Sequence, residues 1–154
     1  MKQKYIEYYL KIAEETAKLS SARRLQVGTV IVKNGQAIST GYNGTFPGFD
    51  NNCETEDEVR VWDDEKFEYV WKSQLKTHDE VYHSEANAIY KLARSTESSA
   101  DAAMFTTHAC CKPCALAIAA SGIAEFYYKH NYRDMAGIDF LTRAGVRVWH
   151  CEDE

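Results

Sequence analysis

No apolar run in this 154-residue chain approaches the roughly 20 residues of a membrane span, and no apolar signal core follows Lys2, Gln3 and Lys4. We therefore expect a cytoplasmic protein, neither exported nor membrane-bound. Positive charge is not in excess: 18 Lys and Arg stand against 23 Asp and Glu, a formal charge of −5. An acidic balance repels phosphate backbones and argues against a general nucleic-acid partner; an anionic ligand would be small and held by a few cations. The cysteines do not come in an even number. Five of them, at 53, 110, 111, 114 and 151, with three inside five positions, fit a disulfide framework poorly and point to metal binding or thiol chemistry in a reducing compartment. Internal repeats and low-complexity segments are absent. What is there, 45% hydrophobic and 27% charged residues, describes one globular domain over 1–154 with a real core.

Ile6, Leu10, Ala13 and Ala17 recur at helical spacing, which predicts an amphipathic helix ending near Ser20. Val27 to Val32 and Gln36 to Gly41, joined by Asn34-Gly35, predict an antiparallel hairpin. Asn43 to Gly48 is a loop. From about 53 to 78 the composition turns acidic, with eight Asp or Glu between Glu54 and Glu68, and we read an inserted, partly helical surface segment with a solvated face. Helices follow at Ser84–Arg94, Cys111–Ser121 and Asp134–Ala144, alternating with strands at Ala102–Thr106, Ile123–Tyr128 and Val146–Trp149; Gly122 and Gly145 mark helix ends. The order predicts an α/β layered fold with a mixed sheet.

Two short motifs carry the chemistry. His83-Ser84-Glu85 opens one predicted helix and Cys111-Lys112-Pro113-Cys114 the next. Cysteines at i and i+3 share a helical face, and a helix N-terminus favours the thiolate that binds metal. One imidazole and two thiolates make a three-ligand zinc site with an open position, the pattern of catalytic sites and not of structural ones. Glu85 then fits a proton carrier: metal lowers the pKa of a bound water from about 15.7 to about 7, and a nearby carboxylate can take that proton and deliver it to a substrate nitrogen. Since i and i+2 do not share a face, His83 must sit at the irregular first turn. H-x-E with P-C-x-x-C is the signature of zinc nucleobase deaminases. The Pro before the first cysteine is here Cys110, which leaves Cys110 or Cys111 to accompany Cys114; we prefer Cys111 for its spacing.

With these motifs on the page, the chain resembles the deoxycytidylate (dCMP) deaminases over nearly its whole length. Arg24-Leu25-Gln26-Val27-Gly28 with Thr29 to Val32 resembles the family's first strand, and Gly41-Tyr42-Asn43-Gly44 with Phe46-Pro47-Gly48 its glycine-rich loop. His83-Ser84-Glu85-Ala86-Asn87-Ala88-Ile89 resembles its zinc and proton-shuttle helix, with Ser84 where Ala is usual. Thr107 to Ala115 resembles its second metal motif, and Tyr128, Tyr132, Asp134, Gly137 and Gly145-Val146 fall at its C-terminal spacing. The resemblance implies a three-layer cytidine-deaminase-like fold whose central mixed sheet has five strands flanked by helices. It implies hydrolysis of dCMP to dUMP and ammonia, which supplies dUMP for dTMP synthesis. It further implies one catalytic Zn²⁺ on His83, Cys111 and Cys114, Glu85 as proton carrier, a homo-oligomer, commonly a hexamer, activation by dCTP and inhibition by dTTP.

Asn43 is carried over as a deoxyribose ligand, and Arg24, which matches the family motif, is a candidate for the phosphate together with Lys129 and Arg133. Tyr128 and Tyr132 are candidates to border the nucleotide. Asn43, Gly44, Gly48 and Asp50 lie where relatives bind the regulatory triphosphate, which we expect to arrive with Mg²⁺ given the chain's negative charge. His108 reads as a hydrogen-bonded structural histidine. Cys53 and His78 flank the acidic segment where some viral relatives hold a second zinc; those relatives use a cysteine where this chain has Ala22, so we expect a buried or free thiol. The competing readings are a zinc deaminase for another base or nucleoside, tRNA adenosine included, and a structural zinc module in which Glu85 is incidental.

Overall fold

A computed structural model describes residues 1–152. The N-terminal helix α1 (Gln3–Ala17) leads into a hairpin of β1 (Gly28–Lys33) and β2 (Gln36–Tyr42), closed by Asn34 and Gly35 at φ +51° and +73°. A second hairpin, β3 (Glu54–Asp63) and β4 (Glu68–Thr77), precedes α2 (Ser84–Ala93). Then β5 (Ala103–His108), α3 (Lys112–Ala120), β6 (Glu125–His130), α4 (Ala136–Arg143) and β7 (Arg147–His150) alternate. The five-stranded sheet runs β2-β1-β5-β6-β7, antiparallel across β2, β1 and β5 and parallel from β5 to β7, so it is mixed as the element order predicts.

Period-2 alternation divides each central strand between two cores. Val30, Val32, Phe105 and Tyr127 face α1, meeting Tyr9, Leu10 and Ala13; Phe105 and Tyr127 stack at 4.5 Å. Ile31, Met104 and Phe126 face the other way, against Ala88 and Leu92 of α2, Ala115 and Ile118 of α3 and Leu141 of α4. Each of these large side chains contributes about 1.5–3 kcal/mol by leaving water. The result is three layers, α1 below the sheet and α2, α3 and α4 above it.

The acidic segment differs from the sequence expectation. It contains no helix: Glu54–Asp63 and Glu68–Thr77 pair over their full length as a two-stranded ribbon. Val59, Val61, Val70, Trp62, Tyr69 and Trp71 supply the β-branched and aromatic residues a strand favours, and they outweigh the helix-tolerant Glu and Lys between them.

Two glycines bring backbones together at the upper face. A Cβ on Gly41 would stand 2.2 Å from the Ser84 carbonyl oxygen, so only glycine lets the first turn of α2 sit on β2. A Cβ on Gly137 would stand 2.1 Å from the Cys110 carbonyl oxygen, and α4 thereby presses on the segment before α3. Both contacts fix the helix ends from which the two sequence motifs project.

Candidate active site

His83 and Cys111 are the residues immediately before α2 and α3, each with extended backbone (ψ 161° and 166°). That irregular start is what allows His83 and Glu85 to face one place. The His83 Nδ1 lies 3.3 Å from Cys111 Sγ and 3.4 Å from Cys114 Sγ, and the three ligand atoms all fall within 4.8 Å of one another. A tetrahedral zinc with bonds of about 2.0 Å to nitrogen and 2.3 Å to sulfur requires nitrogen to sulfur separations of about 3.6 Å. The donor set therefore fits zinc, and among the described residues no fourth His, Cys, Asp or Glu joins the three.

The electrostatics show the same demand for a cation. The hydrogen bond from Cys114, then that from His83, holds Cys111 well below an ordinary thiol, whereas Cys114, as the donor, is pushed well above one. Two adjacent sulfurs cannot both ionise without a positive centre between them. Cys110 is buried among core residues, and burial first, then Glu85 and Cys111, push its thiol up. It lies in the upper core while Cys111 faces the cleft, which accords with the spacing preference for Cys111.

Glu85 is 4% exposed, and burial raises its carboxyl above the ordinary range despite opposing hydrogen bonds. Ser84 Oγ donates to Glu85 Oε2 at 3.0 Å and lies 2.8 Å from Thr29 Oγ1. A hydroxyl has one proton; with that of Ser84 given to Glu85, Thr29 donates to Ser84. The serine at the position where the resembled family has alanine thus belongs to a buried relay ending on the carboxylate.

His83, Ser84, Glu85 and Cys111 line a cleft that also includes Arg24, Asn43, Glu54, His108 and Tyr132. Asn43 uses both side-chain ends on backbone, accepting from Val27 N–H (2.9 Å) and donating to the Leu25 carbonyl (2.8 Å), and so frames the wall that carries Arg24. His108 Nδ1 lies 2.9 Å from Thr107 Oγ1, while burial, then the His130 ring at 5.0 Å, lowers its proton affinity.

Several sequence candidates lie elsewhere. Tyr128 is not in the cleft: it is buried in the upper core with its ring stacked on His150 at 4.7 Å, because its strand position alternates inward. Lys129 points to the opposite face and pairs with Glu14 of α1. Arg133 lies over the Tyr132 ring at 5.6 Å and does not line the cleft. Gly44 lines a second concavity with Tyr42, Phe46, Tyr82, Asn87 and Lys91. Gly48, at φ +91°, and Asp50, whose Oδ1 accepts from Asn52 N–H, are in the exposed loop beside it and line neither space. Cys53 is buried with Ala22 and Val81, so the place of the second metal is a small apolar cluster.

Glu54 escaped the sequence reading. Although it begins the acidic segment, it is 1% exposed; its Oε1 accepts from the N–H groups of Arg23 and Arg24, and Oε2 stands 3.6 Å from Arg23 Nε. Nothing local distinguishes it from Glu56 or Glu58. Its burial is decided by donors thirty residues earlier.

The family described as the cytidine and deoxycytidylate deaminase zinc-binding region matches residues 3–130. The deoxycytidylate deaminases of Enterobacteria phages T2 and T4 are 32% and 33% identical to the chain over 92% of its length, covering 89% and 86% of theirs. The dCMP deaminase of cyanophage S-TIM5, solved in complex with dCMP and dUMP, superposes with a TM-score of 0.84 at 36% identity, over 98% of this chain and 99% of that one.

Proposed function

We propose, from the premise that the chain belongs to the cytidine and deoxycytidylate deaminase family and is a hydrolytic deaminase, that it converts dCMP and water to dUMP and ammonia. The observation that carries this reading is a zinc-compatible His83, Cys111, Cys114 set whose first two members open, with a buried carboxyl, onto one cleft that has an arginine at its wall. A structural zinc module would call for a fourth protein ligand, and the described residues offer none.

Zinc held by His83, Cys111 and Cys114 would supply a Lewis acid that makes a water nucleophilic near neutral pH. Glu85 moves the protons: it takes one from the attacking water as the C4–O bond forms and gives it to the ring N3, then carries the remaining hydroxyl proton to the amine, which leaves as ammonia as the C4–N bond breaks. Burial suits it to both halves, since it raises the carboxyl's proton affinity above that of a solvated carboxylate. Arg24 supplies charge for the 5′-phosphate, Asn43 frames the sugar, and Tyr132 borders the nucleotide. Tyr128 takes no part in binding, being in the core.

The finer reading includes regulation: dCTP, arriving with Mg²⁺, activates, dTTP inhibits, and the enzyme is a homo-oligomer, a hexamer on the family's pattern, in the cytoplasm. The concavity at Gly44, with aromatic Tyr42 and Tyr82 and the ammonium of Lys91, offers a place for such a nucleotide one residue from Asn43 of the cleft, with Gly48 and Asp50 on the neighbouring loop. Ammonia release from dCMP, deoxycytidine, cytidine and adenosine tests the substrate. Release from dCMP at a kcat/KM orders of magnitude above deoxycytidine supports the nucleotide reading; equal efficiencies refute it, because unpaired cations should penalise the nucleoside.

A further inference from the structure

The ribbon of β3 and β4 takes little part in the chemistry beyond Glu54 and Thr77 at its root, yet it carries two of the chain's three tryptophans. On one face the cross-strand pairs Arg60–Trp71 and Trp62–Tyr69 lie side by side. Trp62 and Tyr69 meet edge to face at 5.2 Å, the Arg60 guanidinium covers Tyr69 at 5.1 Å, and Trp71 is 66% exposed. On the other face Val61 opposes Val70 beside Val59. At the tip Phe67 is 79% exposed and holds φ +53°, a left-handed conformation that is costly for a bulky residue. Among the described residues neither strand packs extensively on any element but the other. An isolated two-stranded ribbon is marginal in water, and apolar groups gathered on it mark a contact surface.

We propose that this ribbon is an arm that docks on a second copy of the chain, with its aromatic face on the outward face of α1. The inference rests on the oligomeric part of the proposed function and names the surface responsible. Charge selects the occupant. Asp63, Asp64, Glu65 and Glu68 outnumber Lys66 at the tip, so two arms would repel each other; α1 exposes Lys4 and Lys11 beside Tyr5, Glu7 and Tyr8, its Glu15 is already paired with Lys18, and Tyr8, Lys11, Ile12, Glu15 and Leu19 line a shallow groove there. Area agrees with that occupant. The four aromatic rings of the arm present about 450 Å². With a similar share from α1, two reciprocal contacts about a two-fold axis bury about 1,800 Å² in total, the size of a stable interface.

The test is sedimentation of the zinc-loaded full chain from 0.1 to 100 µM. Three variants accompany it: W62E/W71E on the arm, K4E/K11E on the helix, and K4E/K11E combined with D64K/E65K as a charge exchange. The wild type is expected to be a dimer or a multiple of one. Each single-surface variant should raise the dissociation midpoint at least 100-fold, the exchange should recover most of it, and far-UV circular dichroism should be unchanged. A wild type that is monomeric throughout overturns the arm together with the oligomeric reading. An oligomer whose midpoint neither arm nor helix variant moves overturns the arm alone. A midpoint moved by the arm variant but not by K4E/K11E overturns α1 as its seat. Deamination of dCMP followed in the same samples reports the catalytic reading separately.

Discussion

Replacing Ser84 with alanine removes one buried hydroxyl from beside Glu85. Ser84 and Thr29 are fully buried, and the Ser84 hydroxyl donates to the carboxylate at 3.0 Å. A hydrogen bond to a charged group contributes about 1.5–3 kcal/mol; since the variant leaves Thr29 Oγ1 to find a new partner, we take about 1.5 kcal/mol for the Ser84–Glu85 contact. That corresponds to about one pH unit. The donor favours the ionised form, so its loss raises the proton affinity of Glu85 further above the ordinary range. If catalysis needs Glu85 ionised to accept a proton, the acidic limb of kcat/KM should move up by about one unit in S84A, with KM at the plateau unchanged. Stability follows the same sign: the lost bond matters most while Glu85 is ionised. The melting temperature should therefore fall by about 3–6 °C at pH 8, and by progressively less toward acid pH as the carboxyl takes up its proton. Rates from pH 5 to 9 and thermal melts at both ends measure this. An acidic limb within 0.2 units of the wild type, or an equal melting difference at both pH values, would show that Ser84 does not touch the working carboxylate.

Cys111→Ser should lose bound zinc while Cys110→Ser keeps it, read by metal content per chain; the reverse pattern would reassign the ligand to the residue buried in the core. Arg24→Ala should lower kcat/KM for dCMP about 100-fold while leaving deoxycytidine nearly unchanged, and an equal loss on both would remove Arg24 from the phosphate. Glu125 is partly buried, which works to raise its carboxyl, but hydrogen bonds from Tyr127 and Arg147 outweigh burial and hold it below the ordinary range. A depressed carboxylate stabilises the fold above its unfolded value, about 4.3, and loses that contribution as pH falls through its folded value. Glu125→Gln should thus lower the melting temperature at pH 7 by a few degrees and by less as the pH is taken down below 4; a pH-independent difference would contradict the ion-pair account.

The order of the sheet and the site came from different kinds of sequence information. Strand and helix alternation was legible because Val30, Ile31, Val32 and the run from Phe126 to Tyr128 are short continuous β-branched or aromatic runs, the mark of strands buried on both faces. The metal set was legible because ligation requires particular residue types at particular spacing, and the capping positions of His83 and Cys111 follow from that spacing. The arm was misread because eight carboxylates dominate its composition, while its strand character depends on cross-strand pairs such as Trp62 with Tyr69 that only register reveals. Tyr128 was misplaced for a related reason: a tyrosine in a strand can face either side, and Tyr128 shares the core-facing side of β6 with Phe126, while Tyr132, beyond the end of that strand, borders the cleft. Glu54 could not be singled out at all, since its burial depends on the N–H groups of Arg23 and Arg24 across the fold.

The central claim is that Glu85 carries protons while His83, Cys111 and Cys114 hold the metal, and Glu85→Gln separates the two. The amide keeps the size and the hydrogen-bonding reach of the carboxyl but cannot shuttle a proton at neutral pH. Metal content and the rate of ammonia release from dCMP, measured on one preparation, should diverge: about one zinc per chain as in the wild type, with turnover reduced at least 10³-fold. Retention of most of the wild-type rate with zinc bound would contradict the account.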